Sequence, residues 1–272
     1  QPEQVSPGEM SEAFSFHEGG SPLLVSVPHD GRDLPGDLSA RMTEAGLALP
    51  DTDWHVARLY DFVRDLGASL LVAKYSRYVV DLNRPADDAT LYAGQVATGL
   101  CPSLTFAGEA IYRDGAIGPG ETARRVADYW QPYHDKLVAT LAALKARHGF
   151  ALLWDAHSIP SVVPRLFDGK LPALNIGSYG GRSCGEPLAA AVTACAAGSP
   201  YSHVRDGRFQ GGFITRRYGE PANHVHAVQL EIAQRVYMNE SSKVFDVEKA
   251  ALLRDTLRRM IESFIETATK SE

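Results

Sequence analysis

Two histidines stand in matching local settings. Residues 23–31 read LLVSVPHDG and residues 151–158 read ALLWDAHS. Each is an apolar run that ends on a histidine with an aspartate close by. A short apolar run bounded by turn residues reads as a buried strand. Pro28 and Gly31 stop the first run, since proline lacks an N–H and glycine permits a sharp turn. In open α/β sheets, ligands bind at the C-terminal ends of strands. Two strands that each carry a histidine to that edge point to a metal site or an acid/base pair. Zinc takes imidazole and carboxylate ligands, and a catalytic site keeps three protein ligands and one open position. His29 and His157 are the nitrogen donors of this reading, and Asp30, Asp33 and Asp53 are the candidate acids. Asp53 has a second reading as a helix cap. Asp155 lies two residues before His157, on the same strand face, where it can orient that histidine.

Glu231 is the candidate general base. Residues 224–233 (HVHAVQLEIA) alternate as a strand, with Val228, Leu230 and Ile232 on one side and Glu231 on the other. A carboxylate in such a strand must be paired or face a cleft, because burying it bare is costly. Desolvation near a metal suits it to base work. The alternative is a salt bridge to Arg216 or Arg235. Arginines bind carboxylates bidentately. Arg84 (after Asn83), Arg182 and Arg216 are therefore candidates for gripping a substrate with one or two carboxylates, whereas Arg217 reads as a surface ion pair. Ser178 in NIGSYGG narrowly misses the GxSxG nucleophile elbow, which keeps a metal-independent serine hydrolase as a rival. A non-catalytic ligand-binding module is a further rival, disfavoured because a binder needs no base. No phosphate-binding loop, GxGxxG or HExxH motif occurs.

The surrounding pattern supplies elements to position these residues. Residues 56–66 have apolar positions at helical spacing, with Asp51, Thr52 and Asp53 as N-cap candidates and Gly67 as C-cap. Residues 69–73 and 77–82 read as strands, 32–50 as loop with one short helix, and 86–120 as irregular. Residues 121–148 read as a helix divided by Pro132. Residues 171–178 read as a strand, 187–197 as a helix, 207–219 as a turn and strand, and 247–268 as a last helix. Strands alternating with helices indicate an α/β sandwich with a parallel or mixed sheet.

Composition narrows the class. The 272 residues are 44% hydrophobic and 22% charged, and 33 acids against 27 bases give a net charge of −6. That is ordinary globular composition and argues against a nucleic-acid partner. Three cysteines without a CxxC argue against a disulfide scaffold or a cysteine-zinc site and fit a reducing cytoplasm. No apolar run approaches a membrane span of about 20 residues. The polar start lacks a signal-peptide core. Met10 is a candidate native start, with residues 1–9 a disordered or appended tail and residues 10–272 one catalytic domain. Oligomeric state is left open.

Seven motifs together carry a family resemblance: SVPHDG, DTDWHVARLYDF, YSRYVVDLNRP, LLWDAHS, LNIGSYGG, GGFITRRYG and HAVQLEIAQRVYMNE. In this order they resemble the N-formylglutamate amidohydrolases, over residues 22–240. The resemblance implies hydrolysis of the small-molecule substrate N-formyl-L-glutamate to formate and L-glutamate, the last step of a bacterial histidine-degradation route. A metal amidase for another N-acyl amino acid is the neighbouring alternative. It also implies a twisted, mixed sheet between helices, a three-layer α/β sandwich like the zinc carboxypeptidases and aspartoacylases. By similarity His29 and His157 bind one zinc ion, Glu231 is the base, and Asn83-Arg84 holds a substrate carboxylate. The HxxE pattern of carboxypeptidases is absent, since Arg32 stands three residues after His29. Asp53 is chosen as the acidic ligand because DTDW belongs to the resemblance, with Asp30 in reserve.

Overall fold

The computed structural model describes residues 13–91, 98–115 and 117–272. The expected tail over residues 1–9, the start at Met10 and part of the irregular stretch over 86–120 lie outside them. The strands are β1 (Phe14–His17), β2 (Leu23–Val27), β3 (Ser69–Ala73), β4 (Ala151–Ile159), β5 (Leu174–Gly177), β6 (His203–Arg205) and β7 (Val225–Ala233). They form one mixed sheet in the order β1-β3-β2-β4-β7-β5-β6. The central strands β3, β2, β4 and β7 run parallel, while β1 and β5 are antiparallel to β3 and β7. The helices are α1 (Gly36–Ser39), α2 (Glu44–Leu47), α3 (Val56–Leu59), α4 (Pro119–Arg125), α5 (Gln131–His148), α6 (Glu186–Ala197), α7 (Phe213–Tyr218) and α8 (Val247–Ser271).

Strand alternation assigns each residue to a layer. Val25, Leu152, Trp154, Val228, Leu230 and Ile232 face α6 and α8, where they meet Leu188, Val192, Leu257, Met260 and Phe264 in the main core. Each such side chain, fully buried, contributes roughly 1.5–3 kcal/mol. Leu24, Leu71, Leu153 and Ala227 face the other way, against Tyr133, Leu137 and Leu141 of α5 and Ile214 of α7. The result is the expected α/β sandwich.

Several local expectations change. Residues 77–82 form turns rather than a strand. Side chains take up backbone N–H groups that a ladder would use: Tyr78 N donates to Ser76 Oγ at 3.1 Å and Asn83 N to Asp81 Oδ1 at 2.9 Å. The apolar run there is split: Tyr78 and Val79 are buried in a separate cluster with Leu38, Met42 and Ile111, while Val80 and Leu82 join the layer around Tyr133 and Leu137. The helix expected over 56–66 is the short α3 followed by a 3₁₀ segment, Asp61–Leu66, which ends on Gly67 at φ 69° as expected. The loop over 32–50 carries two short helices, α1 and α2, rather than one. The strand expected within 207–219 is the helix α7; its β-branched Ile214 and Thr215 mislead local propensity. Before α5 the chain widens into a π-helical turn, Val126–Trp130. Pro132 follows in the first turn of α5, where it cannot donate to the preceding turn.

Candidate metal and hydrolytic site

Parity along β4 and β7 builds the site. Asp155 and His157 share a face of β4, and Gln229 and Glu231 share the same face of β7. The register sets His157 opposite Glu231 and Asp155 opposite Gln229. His29 follows β2, the other neighbour of β4. Its carbonyl accepts from Asp53 N at 3.0 Å, while Asp53 Oδ2 accepts from Ser158 N at 3.1 Å. The DTDW loop is thus tied to both histidine turns. Tyr237 OH donates to Trp54 O at 2.6 Å and Gln234 Nε2 to Thr52 O at 3.2 Å, pinning the loop on either side of Asp53.

The donor atoms of His29, Asp53 and His157 lie within 4.8 Å of one another, and all three residues are buried. Both rings turn Nδ1 toward Asp53 Oδ2, at 3.7 Å from His29 and 3.2 Å from His157. Both rings place Nε2 on a second carboxylate: His29 on Asp81 Oδ1 at 2.6 Å and His157 on Asp155 Oδ2 at 2.7 Å. A carboxylate on the far nitrogen fixes the tautomer and ring orientation of a metal-binding histidine. The donor set therefore fits a divalent cation. The other acids have different roles. Asp30 accepts from His55 N at 3.1 Å and Ala57 N at 2.8 Å, so it caps α3 in place of Asp53. Asp33 is exposed and outside the cluster.

Electrostatics follow from burial. Arg77, its side chain 10% exposed, pairs with Asp81 at 2.9 Å and Asp53 at 3.6 Å. Burial, with Arg77, lowers the pKa of His29 and so favours the neutral imidazole that a metal needs. Burial works against charge on His157 too, but Asp155 and Asp53 outweigh it and raise its pKa. Burial drives the Glu231 carboxyl up to about 8, against the pull of His157. Neither candidate salt bridge holds Glu231: Arg235 Nη1 donates to Ser161 Oγ at 2.8 Å, and Arg216 Nε donates to Gly211 O at 2.7 Å.

These groups open into one cleft of about 660 Å³, counting its mouth. Asn83 and Arg84 line it, as do Arg77, Arg208 and Gln229. Arg182 and Arg216 are not among its lining residues. Their guanidinium carbons sit 3.6 and 4.4 Å from the ring centroid of Tyr179. Ser178 is also outside the lining, and its Oγ donates to Asp206 Oδ2 at 2.5 Å. No histidine is bonded to it among the described residues, so it lacks the base a nucleophile needs. Sequence reasoning missed Asp81, Arg77, Arg208 and Gln229. Asp81 had a usable signal, since it ends an apolar run just as Asp155 does. Gln229 had one too, sharing the parity of Glu231.

Residues 21–238 match the family model described as N-formylglutamate amidohydrolase. The chain is 52% identical over 259 residues to the N-formylglutamate deformylase of Pseudomonas aeruginosa, covering 94% of this chain and 97% of that protein. It is 52% identical over 234 residues to the N-formylglutamate deformylase of Pseudomonas putida, covering 85% and 87%. The crystal structure of N-formylglutamate amidohydrolase from Ralstonia eutropha JMP134 superposes with a TM-score of 0.83 at 25% identity, covering 96% of this chain and 100% of that one.

Proposed function

The chain belongs to the N-formylglutamate amidohydrolase family, and we propose that it hydrolyses N-formyl-L-glutamate to formate and L-glutamate with one bound divalent metal ion. Zinc is the ion this donor set suits, and the proposed setting is the closing step of histidine degradation in the cytoplasm. One observation carries the reading: a His29–Asp53–His157 cluster shares its cleft with a buried Glu231 directly across the strand pair from His157.

His29, Asp53 and His157 hold the ion, and Asp81 and Asp155 keep the two imidazoles aimed at it. An ion there supplies Lewis-acid polarisation of a carbonyl oxygen and lowers the pKa of water. Glu231, across the strand pair from His157 and lining the same cleft, accepts a proton from the attacking water. It returns that proton to the nitrogen of the leaving glutamate. Asn83 and Arg84 hold a substrate carboxylate and so fix the formyl carbon against the base. Arg182 and Arg216 lie outside the described lining of the cleft and stack on Tyr179, so the grip is assigned to Asn83 and Arg84 instead.

The test is a substrate panel. Purified protein is assayed for kcat/KM on N-formyl-L-glutamate, N-acetyl-L-glutamate and N-formyl-L-leucine. The proposal expects N-formyl-L-glutamate to lead both others by at least tenfold. Preference for the acetyl compound would indicate a different N-acyl amino acid amidase, and no turnover of any would refute the assignment.

A further inference from the structure

Gln229 lies two residues before the proposed base and has no role in the mechanism above. Its side chain is almost fully buried, yet it lines the cleft. Its orientation is determined. Oε1 accepts from Gly212 N at 2.7 Å, and only the oxygen of a carboxamide can accept. Nε2 therefore faces away from Gly212, and it has no hydrogen-bond partner among the described residues. Asn83 is held in the same manner, its Oδ1 accepting from Ile214 N at 2.8 Å. Gly212 and Ile214 are the N-cap and second residue of α7, whose first N–H groups lack intrahelical partners. One helix start thus locks both carboxamides by their oxygens and leaves both NH₂ groups for the cleft.

The two amides are neighbours. A Cβ on Gly212 would collide with the Asn83 carboxamide, so the bare glycine is what lets both pack at this point. Asn83 Nδ2 lies 3.3 Å from His157 Nε2, but that nitrogen is engaged with Asp155, so Asn83 also lacks an acceptor there. Gly212 lines the cleft between them, and Arg84 follows Asn83 into it. At this corner the NH₂ groups of the two amides stand beside the Arg84 guanidinium, whose Nη2 also reaches Thr98 Oγ1 at 3.4 Å. A carboxylate, with two oxygens and about four lone-pair sites, is the complementary group.

We propose that Gln229 is a substrate-binding residue that donates through Nε2, beside Asn83, to the α-carboxylate of the N-formyl amino acid. The assignment rests on the amidohydrolase reading above and deepens it. It distinguishes substrates by what stands at that carboxylate, since a site built to bind one group rejects the analogue that leaves its buried donors unpaired.

Gln229→Glu tests it. The glutamate keeps an oxygen to accept from Gly212 N, so the start of α7 stays capped, and it replaces only the donor by a charged acceptor. Steady-state kinetics are measured at pH 9 on N-formyl-L-glutamate and on its α-carboxamide analogue. The expected result is a KM for N-formyl-L-glutamate raised at least tenfold, with kcat changed less. The acid-over-amide preference should fall at least tenfold, because the new acceptor can pair with the amide. Gln229→Met, which removes donor and acceptor together, should raise KM for the acid and narrow the same preference. Unchanged kinetics in the glutamate variant, or both substrates slowed by one common factor in both variants, would overturn the assignment. Absence of wild-type turnover on N-formyl-L-glutamate is a separate outcome, which would remove the amidohydrolase reading and this assignment with it.

Discussion

The two faces of the central sheet come from the same strands but do different work. Toward α6 and α8, β4 and β7 present Trp154, Ala156, Val228, Leu230 and Ile232, all buried among apolar neighbours. On the opposite face they present Asp155, His157, Gln229 and Glu231, also buried but polar, the last three lining the cleft. Single residues alternate between the two roles along one strand. Burial alone therefore does not mark a structural residue here. On the apolar face it stabilises the fold; on the polar face it perturbs ionisation and makes donors available.

That contrast can be broken by substitution, beginning where the largest effect is expected. Asp53→Ala removes the carboxylate toward which both imidazoles turn. Formate release should fall on the order of 10³-fold or more, with bound metal lost in elemental analysis. Glu231→Gln should retain metal and lower kcat by about 10²–10⁴-fold.

The same Glu231 variant tests the contrast from the stability side. Below the ordinary carboxyl value of 4.5 the side chain is protonated folded or unfolded and makes no difference. As pH rises from there through about 8, the unfolded chain ionises freely while burial penalises the folded one. Stability is therefore lost across that window. Metal-free Glu231→Gln should be more stable to unfolding than metal-free wild type at pH 9, by roughly a few kcal/mol at most, and the gap should close toward pH 4.5. A gap independent of pH would contradict the cause assigned to the shift.

Leu230→Ala probes the opposite face between two polar neighbours. It should cost about 2–5 kcal/mol in denaturant unfolding, while kcat per folded molecule stays near wild type. A large loss of kcat would mean that the faces are not separable. The smallest expected effect is that of Asp155→Asn, which keeps the packing but weakens the orientation of His157. Metal affinity should drop about 10–100-fold, read by competition with a chromophoric chelator.

The legibility of these features from sequence follows the same division. The strands β3 and β4 were readable as short apolar runs and β7 by its alternation, and with them His157 and Glu231 emerged from pattern and residue type. His29 was readable because Pro28 and Gly31 punctuate its strand. Asp81 and Arg77 were hidden in a run that looks like a strand and folds as turns. There the backbone is satisfied by side chains of Ser76 and Asp81, a solution that has no period. Asp53 was ambiguous because capping and ligation call for the same residue type at a helix start, and only the structure shows that Asp30 reaches across to do the capping. Arg182 and Arg216 were chosen for residue type within glycine-rich segments. Where such segments carry their side chains depends on turn geometry, as at Tyr179, which adopts φ 53° beneath both guanidinium groups.

The central claim is that a metal held by His29, Asp53 and His157 is required for amide hydrolysis beside Glu231. Titration of chelator-stripped wild-type protein with zinc, reading formate release from N-formyl-L-glutamate at each addition, tests it most directly. Negligible release is expected from the stripped protein, with recovery that saturates at one equivalent. Full activity in protein shown to be metal-free would contradict it.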